Sequence, residues 1–243
     1  MSTHPEEPPY DAELMAAVTD LGEALRGLVD ASVRTDVPAA DLRAAAAGAR
    51  ELTERLAASR RPAGHLSPLD DVLAFRQVFN MVSGVGSALA PPVVLRVVDG
   101  GVIAETVFGL AYEGPPGYLH GGMSGLVMDQ VLGGAAIHAG LWGMTARLEL
   151  DYRGPVPLDT PVVLAARVGE SAGRKTIVTG SIALAATPDR PLVEARGVFV
   201  TPRTETVDSY FAGVTDGSGR HTQPGRKPVQ IRPTDATAPV VAP

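Results

Sequence analysis

A chain of 243 residues with 45% hydrophobic and 20% charged side chains can bury a core, as one large domain or as a medium one with extensions. Its formal net charge of −6 argues against non-specific nucleic-acid binding, which depends on a basic surface. With no cysteine it can form no disulfide and do no thiol chemistry, which suits a cytoplasmic protein.

The acidic, Pro-rich opening MSTHPEEPPY is neither a signal peptide nor a membrane span, and residues 1–11 are expected to be disordered. Leu14, Val18, Leu21, Leu25 and Leu28 then recur at alternating four- and three-residue steps, which predicts a helix. After a break at Val37-Pro38, Leu42, Ala49, Leu52 and Leu56 share one face of a second helix. Residues 12–60 therefore read as a helical hairpin whose leucine stripes need something to cover them.

From about Leu95 the period changes. Short β-rich runs at 93–98, 102–108, 145–152, 162–168, 176–184 and 192–200 flank one long apolar helix beginning near Gly121 and stopping at Gly140. Strands around a single helix define an α+β class. After Thr204 the chain turns rich in Pro, Gly, Thr and Asp, and residues 204–243 are expected to be a disordered tail.

The segment Tyr112-Glu113-Gly114-Pro115-Pro116-Gly117-Tyr118-Leu119-His120-Gly121-Gly122 carries the chemistry. Its prolines hold the chain extended, and its glycines permit unusual backbone angles and close approach of a ligand. Gly121 and Gly122 fall at a helix start, where backbone N–H groups lack helical partners and the dipole favours negative charge. Asp129 is the one formally charged residue between Gly121 and Gly140, and an acid on so apolar a helix needs a role or a partner. This is the outline of a hydrolase site without a serine nucleophile.

Rival motifs fail on spacing. Gly122-Met123-Ser124-Gly125-Leu126 lacks the final glycine of a nucleophile elbow and has no alternating strand–helix series around it. The run GESAGRKT at 169–176 is one residue short of a phosphate loop and leads into a strand. The histidines at 4, 65, 120, 138 and 221 show no metal-ligand spacing, so no metal is expected.

The run LHGGMSGLVMDQVLGGA resembles the signature of hotdog-fold acyl-CoA thioesterases of the phenylacetate-degradation and four-hydroxybenzoyl-CoA type. The thioesterase-superfamily-member-four type shares an EGPPG-x-x-HGG loop (here residues 113–122), an acid nine residues after the histidine (Asp129), and a later strand, Met144-Thr145-Ala146-Arg147-Leu148. The resemblance covers roughly residues 75–203, implies that they form the hotdog thioesterase domain, and implies an antiparallel sheet wrapped around one central helix. It further implies hydrolysis of acyl-CoA to free acid and CoA without a metal or redox cofactor. The N–H groups around Gly121 and Gly122 would form the oxyanion hole, with His120 a further catalytic-site residue, Asp129 would be general base or nucleophile, and Thr145 would orient the water or Asp129. Gln130 stands where many relatives have a second acid.

For the CoA phosphates the resemblance implies Arg153, Arg174 and Lys175, with a further ligand contact at Asp151, where an acid suits the adenine or pantetheine amides better than phosphate. Medium to long fatty acyl chains are favoured. On one helix, Asp129 lies roughly 10 to 12 Å from the N–H groups of Gly121 and Gly122, too far to share their substrate atom. The acid must then come from a neighbouring protomer of a homodimer or homotetramer, as the family's twofold sites imply. A non-catalytic acyl-CoA-binding or regulatory hotdog protein is the alternative; a hotdog hydratase would want a paired Asp and His, which is not seen.

Overall fold

A computed structural model describes residues 10–71 and 75–203, with positions 205, 206, 209 and 212 beyond them. Most of the stretch expected to be disordered at 1–11, and nearly all of the tail at 204–243, lies outside the described residues.

Helix α1 (Ala12–Arg34) is capped by Asp11, whose carboxylate accepts the Leu14 N–H at 3.0 Å. It docks on the rest of the chain through Val18, which lies against Gly86, and through a close backbone approach. At Gly22 a Cβ would stand 2.2 Å from the Val85 carbonyl oxygen, so only glycine fits. One turn on, Arg26 Nη1 donates to the carbonyls of Val85 and Ser87 at 2.8 and 2.9 Å. Arg34 closes the helix by bridging Asp30 and Asp159. Leu14, Leu21 and Leu28 stay exposed. Helix α2 (Ala39–Ala57) follows with no buried residue, and Leu42, Leu52 and Leu56 of its predicted stripe are likewise exposed.

Residues 76–95 form an irregular strap with no helix or strand, yet Val78, Val82, Ala90 and Val93 are buried. The strap replaces the beginning of the first predicted strand. The Val93 N–H donates to the Val82 carbonyl, and β1 is confined to Arg96–Val98.

The remaining strands are β2 (Gly101–Val107), β3 (Met144–Tyr152), β4 (Pro161–Ala172), β5 (Lys175–Leu184) and β6 (Pro191–Val200). They make one antiparallel sheet in the order β1-β2-β4-β5-β6-β3. Helix α3 (Gly121–His138) lies across it in the hotdog arrangement expected. Glycines in the sheet let the helix sink in: a Cβ on Gly180 would come within 2.8 Å of Met128 Cε and 3.0 Å of Leu132 Cδ2. The strap covers the other face, with Leu95 against Gly134 and the Asn80 amide donating to Gln130 Oε1 at 3.1 Å. This two-sided cover explains why α3 is apolar nearly all round. Leu132 is fully buried between these layers, and its truncation to Ala should cost about 2–5 kcal/mol.

The nine-residue strand β3 is one edge of the sheet, and its two ends, Met144 and Tyr152, are exposed. It runs along α3: Thr145 meets Asp129, Leu150 lies against Gly125, and Tyr152 reaches Gly121.

Candidate active site

The loop before α3 is braced by its own atoms. The Gly114 N–H donates to the Tyr118 carbonyl, and Glu113 Oε1 accepts the Gly117 N–H at 2.7 Å. The Leu119 N–H donates to the Val156 carbonyl, which ties the loop to the segment leading into β4. Of the four glycines in this segment, Gly117 alone has a positive φ, at 80°. Gly121 and Gly122 matter for approach instead.

His120 is the N-cap of α3, and its Nδ1 accepts the Gly122 N–H at 3.0 Å. The expected pair of free donors is thereby reduced: Gly122 is occupied by the imidazole, while the Gly121 N–H has no partner among the described residues. An Nδ1 that accepts leaves the imidazole proton on Nε2. A Cβ at Gly121 would meet nothing closer than the Tyr152 hydroxyl at 3.4 Å, and with no described acceptor the N–H is left for an incoming ligand atom. Tyr152 in turn donates to the Gly121 carbonyl at 2.8 Å.

Two turns along the helix, Asp129 Oδ1 accepts the Thr145 hydroxyl at 2.8 Å. The contact depends on an irregularity. On β3, Leu148, Leu150 and Tyr152 face α3, so alternation alone would turn Thr145 away. A register shift between Thr145 and Arg147 adds one residue against β6 and brings Thr145 back to the helix side.

The basic residues separate. Arg153 sits past the end of β3 beside Leu192, donating to Glu194 at 2.6 Å with Asp151 at 3.6 Å. The hydrogen bond to Glu194, then the charges of Glu194 and Asp151, push its pKa further above the ordinary arginine value. Arg174 lies in the β4–β5 turn, with Nη1 on the Thr201 carbonyl at 3.0 Å, and Lys175 pairs with Val200. Leu192 and Thr201 are at opposite ends of β6, about 30 Å apart at 3.3 Å per residue. The single cluster expected of Arg153, Arg174 and Lys175 therefore does not exist within one chain.

Each end thus holds half of a set. One has the Gly121 N–H, His120, Tyr152, Asp151 and Arg153; the other has Asp129, Thr145, Arg174 and Lys175. Among the described residues no group of three or more His, Asp or Glu side chains gathers as a metal site. Burial pushes the pKa of His138, in the last turn of α3, below the ordinary imidazole value, which fits a packed side chain. Tyr152 was not singled out from the sequence, although its even spacing from Leu148 and Leu150 places it on the helix side of β3.

A family model described as Thioesterase superfamily matches residues 116–186, which include the second half of the loop, α3 and Thr145. The crystal structure of a protein described as belonging to the thioesterase superfamily is similar over 80% of this chain and 97% of its own, at 36% identity and a TM-score of 0.68. The chain belongs to the thioesterase superfamily. Two curated relatives carry a narrower name. Acyl-coenzyme A thioesterase THEM4 of Xenopus laevis is 37% identical over 70 residues, covering 29% of this chain and 32% of its own. The protein of that name from Mus musculus is 38% identical over 74 residues, covering 30% and 32%. The match spans about a third of the length of these curated relatives.

Proposed function

We propose that the protein is an acyl-CoA thioesterase whose sites form between two copies of the chain. The observation that carries this reading is the division of groups between the ends of β3: an open N–H at Gly121 and a Thr145-held carboxylate at Asp129, on one helix but eight residues and about 12 Å apart. Antiparallel pairing of the exposed edge of β3 with its twin would lay the Asp129 end of one chain beside the Gly121 end of the other. The same operation would bring Arg174 and Lys175 toward the partner copy's Arg153 end, assembling the cations that one chain keeps apart.

In such a site the thioester carbonyl oxygen rests at the Gly121 N–H, at the positive end of the α3 dipole. Asp129 accepts a proton from water as the water oxygen bonds to the carbonyl carbon, and the negative charge passes to the carbonyl oxygen. When the intermediate collapses, the C–S bond breaks and the leaving thiolate takes the proton from the Asp129 carboxyl. Thr145 fixes one carboxylate oxygen and leaves the other for water. Direct attack by Asp129 to give an anhydride is the alternative; in oxygen-18 water, label in Asp129 after a single turnover would establish it, since water opening the anhydride at the Asp129 carbonyl leaves its oxygen there.

The similarity to relatives named acyl-coenzyme A thioesterase supports CoA thioesters as the substrate class, and medium to long fatty acyl chains are the part of the proposal that rests on the sequence resemblance alone. No described helix is long and apolar enough to cross a membrane, and a cytoplasmic location is part of the same proposal. The test is thiol release from a panel of aliphatic and aromatic acyl-CoAs. Hydrolysis rising with aliphatic chain length is expected. Tight binding of acyl-CoA with no thiol release would overturn the enzyme reading in favour of a binding or regulatory protein.

A further inference from the structure

We propose that Tyr152 is a positioning residue for the oxyanion donor: its hydroxyl and the His120 imidazole hold the Gly121–Gly122 peptide from opposite sides and so aim the Gly121 N–H. This rests on the thioesterase reading of the site. The Tyr152 hydroxyl donates to the carbonyl of that peptide at 2.8 Å, and His120 Nδ1 accepts its N–H at 3.0 Å. Both polar atoms of one peptide group are thus held from outside the helix ladder.

The clamp meets a specific need. Gly121 is the first residue of α3, and helix ends fray; as a glycine it has no Cβ to restrict φ and ψ. A free N–H on so loose a residue would wander unless its peptide neighbours were pinned. His120 cannot do this alone, because it precedes Gly121 in the same chain segment and would move with it. Tyr152 comes from β3, whose pairing with β6 is independent of the loop.

Packing and hydrogen-bond satisfaction do not account for the contact. Within one chain Tyr152 is 55% exposed, so it is no anchor of that chain's core. The Gly121 carbonyl, in the first turn, already faces the N–H of the residue four places on and needs no second donor to escape an unsatisfied state. What the register of β3 achieves is to set the ring one turn from the Leu150–Gly125 contact, so that its oxygen arrives at the Gly121 carbonyl.

The test is Tyr152→Phe in the full-length chain, which keeps the ring and deletes the hydroxyl. Loss of an entire oxyanion donor costs about 10²–10³ in kcat, and mis-aiming one should cost less, about tenfold, with KM and the melting midpoint unchanged. Amide exchange at Gly122, whose N–H is the clamped donor of that peptide, followed by NMR without substrate, should quicken while exchange in the middle of α3 stays as in the wild type. Full kcat in Tyr152→Phe, or a kcat loss with a matching fall in melting midpoint, overturns the proposal. A wild-type protein that releases no thiol from any acyl-CoA overturns the thioesterase reading and the proposal with it; an active wild type beside an equally active Tyr152→Phe overturns the proposal alone.

Discussion

The two ends of β3 differ in what they offer a substrate. At the Tyr152 end the reachable backbone group is a donor, the Gly121 N–H, and the hydrogen bonds around it brace the main chain. At the Thr145 end the group is an acceptor, the Asp129 carboxylate, and the hydrogen bond there braces a side chain. A hydrolase needs both, because charge leaves the water at one atom and arrives on the carbonyl oxygen at another. Placing them at opposite ends of an edge strand makes a twofold pairing the cheapest way to complete two sites at once.

The acceptor end should show the larger loss. Asp129→Asn keeps the shape and can still meet the Thr145 hydroxyl, but its amide cannot take the water's proton; kcat should fall about a hundredfold or more with acyl-CoA binding retained. Near wild-type turnover would remove Asp129 from the chemistry and promote the binding-protein reading.

The comparison itself breaks or holds in a mixing experiment. Gly121→Val should silence the donor end by covering the N–H with a branched side chain, since only Tyr152 stands near that position. Combined in equal amounts and allowed to exchange, Asp129→Asn and Gly121→Val chains should form mixed dimers in about half of the population, each with one intact site. Recovery of about a quarter of wild-type activity is then expected. No recovery despite verified exchange would mean that each chain carries a whole site.

Thr145→Ala is expected to cost about tenfold in kcat, less than loss of the carboxylate, because Asp129 remains but is free to rotate. Thr145→Ser keeps the hydroxyl and should recover most of that loss. An alanine variant as active as the wild type would leave Thr145 as an ordinary strand residue.

How far these ends could be read in the sequence depended on periodicity. Helix α3 announced itself through Leu126, Val127, Val131 and Leu132, and the strands through their alternating runs, so the layers and the acid on the helix were legible. The bulge that returns Thr145 to the helix side leaves no local mark, since one extra residue between Thr145 and Arg147 shows only against Phe199 and Val198 of β6. The strap at 76–95 has buried valines but no period to betray them. In the first helix the stripe docks only in part, Val18 against Gly86 with Leu25 half-buried, and the contacts of Gly22 and Arg26 beside them have no period to reveal them, being between backbone atoms or from one long polar side chain. The loss of the Gly122 donor to His120 follows from a side-chain rotamer, which spacing alone does not fix.

The smallest effects belong to the cations, and they test whether pairing joins the two ends. Arg174→Ala or Lys175→Ala should raise KM for acyl-CoA several-fold with kcat little changed, and the effect should shrink at high salt, as expected for an exposed contact with a remote phosphate. Arg153→Ala should do the same or less, because Glu194 and Asp151 already engage that guanidinium. If partner chains assemble one phosphate site, Arg153→Ala and Arg174→Ala should be non-additive in KM despite lying about 30 Å apart in a single chain. Strict additivity would place them on separate ligands. A short pantetheine thioester, which lacks the nucleotide, should be hydrolysed equally by wild type and all three variants; a shared loss on that substrate would make the residues structural and leave the acidic surface without its phosphate anchor.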